Sequence, residues 1–219
     1  MESFPKYVIN LERRFDRLQK FIKAYPLDDL RIVYGFDGKN IDKESQFERE
    51  LCKKFSLSLG EKGCFISHMR IFSEIIQKNI PYALILEDDI ELCNNFKERF
   101  ETVMKELTTD FDVLYIGGRF TPEYVMTAKN STPVTEHIVR HKREYTSEDC
   151  MDLDRTSQAY VISNRMAHLV YHSFMQWTNI IDGYDNWLMQ TFLAHGIRVY
   201  SAKPLLCHTP QVSNNSDIR

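Results

Sequence analysis

The sequence has no Cys-x-x-Cys pair. Its five cysteines, Cys52, Cys64, Cys93, Cys150 and Cys207, are scattered and odd in number. That argues against a zinc ribbon or a thioredoxin-type site, and reads as five reduced thiols in a cytoplasmic protein. No stretch approaches the roughly 20 apolar residues of a membrane span. The opening MESFPKYVINLERR reaches charge too early for a secretory leader. Positive charge is not in excess: 28 basic residues face 31 acidic ones, for a net charge of −3. A broad nucleic-acid surface is therefore not expected. Internal repeats, low-complexity tracts and a Gly-Lys-Ser/Thr phosphate loop are also missing.

What is present is an ample apolar fraction, 43% of 219 residues, enough to bury the core of one α/β domain or two small ones. Short apolar runs read as strands at Tyr7–Ile9, Leu30–Tyr34, Tyr82–Leu86, Val113–Ile116, Gln158–Ile162 and Ile197–Ser201. They are continuous rather than alternating, as strands covered on both faces should be. Between them, apolar positions recur at helical spacing. Leu11, Phe15, Leu18, Ile22 and Tyr25 share one face of Leu11–Tyr25, and Phe65, Met69, Phe72 and Ile76 share one face of Cys64–Lys78. Asn164–Phe174 and Asp185–His195 look similar, with Gly196 as a helix stop. Strands alternating with helices predict an α/β fold with a mostly parallel central sheet flanked by helices. One domain is expected over residues 1–210. Residues 118–156 break the pattern and read as a loop or lid insertion carrying Arg119, Lys142 and Arg143. Residues 209–219 read as a polar, flexible tail.

Five places stand out as chemistry. Glu87-Asp88-Asp89 closes the apolar run Tyr82–Leu86, where open α/β sheets bind ligands. Alternation along an extended chain puts Glu87 and Asp89 on one side and Asp88 on the other. A divalent cation would resolve their repulsion, and a solvated acidic loop is the plain alternative. Arg13, Arg14 and Arg17 follow the first strand as an anion fork or a solvated helix face. In GEKGCFISHMRIF, Gly60 and Gly63 suggest a flexible approach to a helix starting near Cys64, with Lys62, Ser67 and His68 as donors. Asp182 and Asp185 offer a general base or, for Asp185, merely a helix cap. His208, near the C-terminus, is a metal ligand or a structural histidine.

In their order, YVINLERRFDR, YGFDGK, GEKGCFISHMRIFSEI, ALILEDDIEL, FDVLYIGGR, QAYVIS and YDNWL resemble glycosyltransferase family 25. That family includes bacterial lipooligosaccharide and animal procollagen galactosyltransferases. The resemblance covers nearly the whole chain and leans toward the collagen-modifying branch. It implies a GT-A type nucleotide-diphospho-sugar transferase fold. It also implies an inverting transfer of galactose or glucose from a UDP-sugar to a hydroxyl acceptor, either hydroxylysine of a collagen-like protein or a glycan, as in lipopolysaccharide biosynthesis. Mn²⁺, or Mg²⁺, would sit on Glu87, Asp89 and His208. Ile9, Asn10, Leu11, Arg13, Arg17, Asp37, Lys62, Ser67, His68 and Asp88 would contact the nucleotide. Asp185 matches the family's Asp at a helix start and would be the base, with Asp182 in reserve. Unlike the animal relatives, the sequence shows neither a secretory leader nor a second transferase domain, so the chain is either a cytosolic enzyme or a domain cut from a longer one. Two other functions compete. One is a catalytically inactive glycan- or peptide-binding module descended from such an enzyme. The other is a nucleotidyltransferase, whose Gly-rich loop would stand where this chain reads NLERRFDR.

Overall fold

In the computed structural model, described here for residues 4–107, 111–118, 131–141 and 156–210, the apolar runs become strands close to their expected bounds. β1 (Lys6–Asn10), β2 (Leu30–Tyr34), β3 (Tyr82–Glu87), β5 (Val113–Tyr115), β9 (Ala159–Ser163) and β10 (Val199–Ala202) belong to one eight-stranded sheet. The hairpin β7 (Ser131–Pro133) and β8 (Ile138–His141) completes it, in the order β2-β1-β3-β9-β5-β10-β8-β7. Six of these strands run one way; β9 and β8 run against them. The sheet is thus mostly parallel in direction. β9, however, sits antiparallel between β3 and β5, so the ladders are mixed.

Successive side chains on a strand point to opposite faces, and here both faces are dry. Tyr7, Ala83, Ile85, Tyr160 and Ile162 face one core, packed under α3 (Leu59–Gln77), α5 (Asn164–Gln176) and α6 (Tyr184–Ala194). Val8, Leu84, Leu86, Leu114 and Val161 face the other, under α1 (Phe15–Ala24) and α4 (Phe96–Glu106). The α/β sandwich with flanking helices is the architecture the sequence predicts. Among the described residues no helix is long and apolar enough to cross a membrane.

Three departures matter for the site. First, α3 starts at Leu59, five residues before the expected Cys64. Ser58 Oγ accepts the Glu61 amide, and Glu61 accepts the Ser58 amide at 2.9 Å, a reciprocal cap that fixes the helix start. Gly60 and Gly63 therefore lie inside the first turns and give no flexible approach. Gly63 serves close packing instead: a Cβ there would stand 2.7 Å from the Phe36 carbonyl oxygen. Gly63→Ala should lower stability by about 1–3 kcal/mol, measurable by urea unfolding.

Second, the 118–156 stretch is not all loop. Residues 131–141 form the β7–β8 hairpin on the sheet edge. Arg119, Lys142 and Arg143 lie outside the described residues, as does the tail beyond residue 210.

Third, two elements near the cleft have no counterpart in the expected set. A 3-10 helix (Gly38–Lys43) forms part of one wall through Gly38 and Lys39, and α2 (Gln46–Leu51) follows it. Arg70 of α3 clamps this wall, meeting Glu44 and Glu48 at 2.5 Å each and the Tyr34 carbonyl at 2.6 Å. A second, three-stranded sheet of β4 (Glu91–Leu92), β11 (Cys207–His208) and β6 (Gly117–Gly118) lies just past the acidic stretch.

Candidate active site

β1 and β3 are parallel neighbours with Ile9 opposite Glu87. Their ends therefore bring Asn10 beside the acids. Asn10 is buried; its Nδ2 donates to Asp88 Oδ2 at 2.5 Å and to the Arg14 carbonyl at 2.9 Å. Arg17, from the first turn of α1, turns back onto the same point. Its guanidinium lies 3.5 Å from Asp88 Oδ1 and 3.2 Å from Asp89 Oδ2. Arg13 pairs with Asp37 at 2.9 Å. Asp37 also caps the 3-10 helix, accepting from the Lys39 amide at 3.1 Å and Asn40 Nδ2 at 2.6 Å. Arg14 contacts Asp16 at the surface. All three arginines are thus engaged with acids, and Arg14, at 19% side-chain exposure, is more covered than Arg13 at 30%, so a plainly solvated face describes none of them.

The alternation expected for the acids does not hold. Asp88 and Asp89 both meet Arg17, while Glu87 turns to Ser157 Oγ at 3.2 Å and His68 Nε2 at 3.6 Å. The strand ends at Glu87 and the chain enters a turn, so the two-residue period of extended backbone stops there. Repulsion remains. Burial, then Asp89 and Asp185, pushes Glu87 up to about 8. Burial, outweighing Arg17 and Asn10, pushes Asp88 up to about 6.

Behind Glu87 lies a buried aromatic and polar pocket on α3, β9 and α6. His68 is fully enclosed, and burial lowers its pKa to about 3, so the ring is neutral. Its Nδ1 meets Tyr160 Oη at 2.8 Å, and Tyr160 Oη meets Tyr184 Oη at 3.2 Å. Tyr184 stacks on the imidazole at 4.4 Å. Cys64 lies one turn before His68, and burial pushes its thiol well up. Ser67 is spent on the backbone: its hydroxyl accepts the Phe36 amide at 2.9 Å and donates to the Gly63 carbonyl at 2.6 Å.

Ser157 joins two carboxylates. Its Oγ donates to Glu87, and its backbone N–H donates to Asp185 Oδ1 at 2.7 Å. Asp185, in the first turn of α6, is thereby held next to the acidic cluster and adds to the charge felt by Glu87. Asp182, two residues before α6, is turned onto that helix, accepting from Gln190 at 3.0 Å.

One cleft gathers most of the expected residues. Ile9, Leu11, Arg13 and Arg17 line one side, Asp37, Ser67 and His68 another, and Glu87, Asp88 and Asp89 the floor. Asn10 supports the floor from below through Asp88. Lys62, Asp182, Asp185 and His208 are not among the lining residues. Lys39, Cys64 and Gly63 line the cleft unanticipated. Cys64 sits in the very stretch that supplied Ser67 and His68, and its chemistry was the available signal. Ser157, two residues before β9, carries no local signal, because its partners lie 70 and 28 residues away.

His208 stands on β11 opposite Glu91, two residues past Asp89, with Nε2 3.9 Å from Glu91 Oε2. Its Nδ1 is buried with no hydrogen-bond partner, and so is Asp89 Oδ1. An imidazole nitrogen and a carboxylate oxygen left without hydrogen-bond partners, beside mutually repelling acids, suit a Mn²⁺-type ion. Asp89 Oδ1 and His208 Nδ1 fit such a group, whereas Glu87, turned to Ser157 and His68, is not gathered with them among the described residues.

The family model for glycosyltransferase family 25 (LPS biosynthesis protein) matches residues 4–185. The chain belongs to glycosyltransferase family 25. Among curated relatives of this family-25 chain, procollagen galactosyltransferase 1 of Danio rerio is 26% identical over 92% of the chain and 35% of its own length. Procollagen galactosyltransferase 2 of Mus musculus is 29% identical over 52% of the chain and 20% of its own length. A probable inactive glycosyltransferase 25 family member 3 of Bos taurus is 29% identical over 52% and 21% respectively. The chain thus spans about a third or less of these relatives. A solved apo form of mouse xyloside xylosyltransferase 1 aligns over 88% of the chain and 69% of that structure at 12% identity, with a TM-score of 0.39. The family-25 chain agrees with the expected α/β architecture in its central sheet and flanking helices.

Proposed function

We propose that this chain transfers galactose or glucose from a UDP-sugar to a hydroxyl acceptor, with inversion and with a divalent ion. One observation carries the reading. The cleft at the ends of β1 and β3 sets three acids against Arg13 and Arg17, with Asp185 tied to the same cluster through Ser157. Glu87, Asp89 and His208 would hold Mn²⁺ or Mg²⁺. Bound there, the ion supplies charge neutralisation for a diphosphate leaving group.

The chain's own residues account for the rest. Arg13 and Arg17 carry guanidinium forks into the cleft, suited to phosphate oxygens. Asn10 and Arg17 hold Asp88 in place from two sides. Asp185 is half-buried and fixed at Oδ1 by the Ser157 amide. That placement suits a base receiving the acceptor's hydroxyl proton as the new glycosidic bond forms. The names of the procollagen relatives favour galactose as the sugar and a collagen-like hydroxyl as the acceptor, with a glycan as the other class.

Ser157→Ala keeps the amide on Asp185 and removes the hydroxyl that meets Glu87 and Cys64. Turnover should fall about tenfold, the weight of one hydrogen bond to a charged group, with UDP affinity read in parallel by calorimetry. The test of the whole reading is a UDP-sugar panel with mass detection of released UDP, followed by an acceptor screen with hydroxylysine peptides and simple glycans. Metal-dependent UDP release with one hexose above the others bears it out. UDP binding without turnover for any donor and acceptor would make the chain a binding module instead.

A further inference from the structure

Beside the acidic turn, three unlike donors meet. Cys64 Sγ, a ring nitrogen of His68 and a Glu87 carboxylate oxygen all lie within 4.8 Å of one another, and all three residues line the cleft. His68 is 1% exposed. Its Nδ1 is taken by Tyr160, while its Nε2 is buried without a hydrogen-bond partner and stands 3.6 Å from Glu87 Oε1. A buried polar atom left unpaired costs about 1–3 kcal/mol. An aimed, unpaired lone pair is what a ligand would satisfy.

We propose that Cys64 Sγ, His68 Nε2 and a Glu87 carboxylate oxygen form a binding site for one Zn²⁺. The site shares Glu87 with the one assigned to Glu87, Asp89 and His208 but differs from it in offering a sulfur donor. Zn²⁺ accepts mixed S, N and O donors in a tetrahedron, at bond lengths that set ligand atoms roughly 3.3–3.8 Å apart. The trio needs to close by about an ångström at most. Mg²⁺ and Mn²⁺ favour oxygen, so a thiolate selects against them. On binding, Zn²⁺ displaces the Cys64 Sγ proton, and the Glu87 carboxyl proton where present, into solvent. The two anions then balance the ion's two charges around a neutral imidazole, and a neutral unit is the form that burial tolerates best.

The surroundings are those of a held metal site. A metal-bound histidine is usually oriented through its other ring nitrogen. Here, with Nδ1 protonated, its N–H donates a hydrogen bond to Tyr160 Oη, whose own O–H donates in turn to Tyr184 Oη, 3.2 Å away. Nε2 is then left with its lone pair free. Tyr184 stacks on the ring within 16° of parallel, and Ser157 Oγ fixes Glu87. The three protein ligands leave a fourth position for water or an incoming group from the cleft. Zn²⁺ here engages Glu87, so its occupancy withdraws that carboxylate from any other role. The proposal does not depend on the chain being an active transferase.

The test is a titration of the chelator-stripped wild-type chain with Co²⁺, the spectroscopic stand-in for Zn²⁺. One equivalent should produce a near-ultraviolet thiolate-to-cobalt charge-transfer band, and stoichiometric Zn²⁺ should bleach it. Cys64→Ser should lack the band, and Asp89→Asn should keep it. No band in the wild type, the same band in folded Cys64→Ser, or its loss in folded Asp89→Asn would overturn the site. Should Cys64→Ser not fold, alkylation of wild-type Cys64, read by peptide mass mapping, decides. One equivalent of Zn²⁺ should slow labelling about tenfold by occupying the thiolate, and Mg²⁺ should not. Equal labelling with and without Zn²⁺ contradicts the proposal.

Discussion

Asp185→Asn should cut hexose transfer by about 10² to 10⁴, the range a positioned general base contributes, while UDP affinity stays within about twofold of the wild type. The substitution isolates chemistry from structure. An asparagine oxygen can still accept the Ser157 amide that fixes Asp185 Oδ1 at 2.7 Å, so the start of α6 should keep its place. What disappears is the ability to take a proton. The measurement is a pair: turnover by UDP release, and UDP–Mn²⁺ affinity by calorimetry. Turnover lost with affinity kept is the expected outcome. Turnover kept in Asp185→Asn and lost in Asp182→Asn would move the base to Asp182, against its observed hydrogen bond to Gln190.

Asp89→Asn should remove the metal's hold on the nucleotide. In the wild type, UDP with Mn²⁺ at about a hundredfold over Kd should stabilise the chain by about 2.7 kcal/mol. For a domain of this size that is a rise in melting temperature of about 5–10 °C. In Asp89→Asn the rise should vanish, and EDTA should erase it in the wild type. The variant should fold, because Asn matches Asp in size and Arg17 retains Asp88 as a partner. It also relieves Glu87 of the nearest named like charge. A full thermal shift in Asp89→Asn would show that the nucleotide binds without that acid.

Much of this site could be read from the chain because strands in an α/β sheet end where ligands bind. The apolar runs Tyr7–Ile9 and Tyr82–Leu86 mark β1 and β3; because the two strands pair in parallel, the residues following each meet, and Asn10 on Asp88 is the result. Two kinds of information were not local. Strand direction is one. β9 is as continuously apolar as β3 and β5 on either side of it, and nothing within Ala159–Ser163 says that it runs against them. Contacts between distant residues are the other. Ser157 links Glu87 and Asp185 only once the sheet and α6 are built.

Other features do carry a local signal. Ser58 and Glu61 spell a capping box in front of α3, while the nearby glycines suggested flexibility. Phe96, Phe100 and Val103 carry the spacing of α4. Lys62 shares a turn with the cleft glycines, yet it does not line the cleft that Gly60, Gly63 and Cys64 line. Helical rotation of about 100° per residue separates neighbours in sequence onto different faces.

The most direct measurement is a calorimetric titration of UDP into the wild-type chain, with Mn²⁺ and again with EDTA. Saturable binding at one site per chain that requires the ion, and is lost in Asp89→Asn, is the predicted result. Binding of equal strength with and without metal, or none under either condition, would contradict a cation-bridged sugar nucleotide at the end of β3.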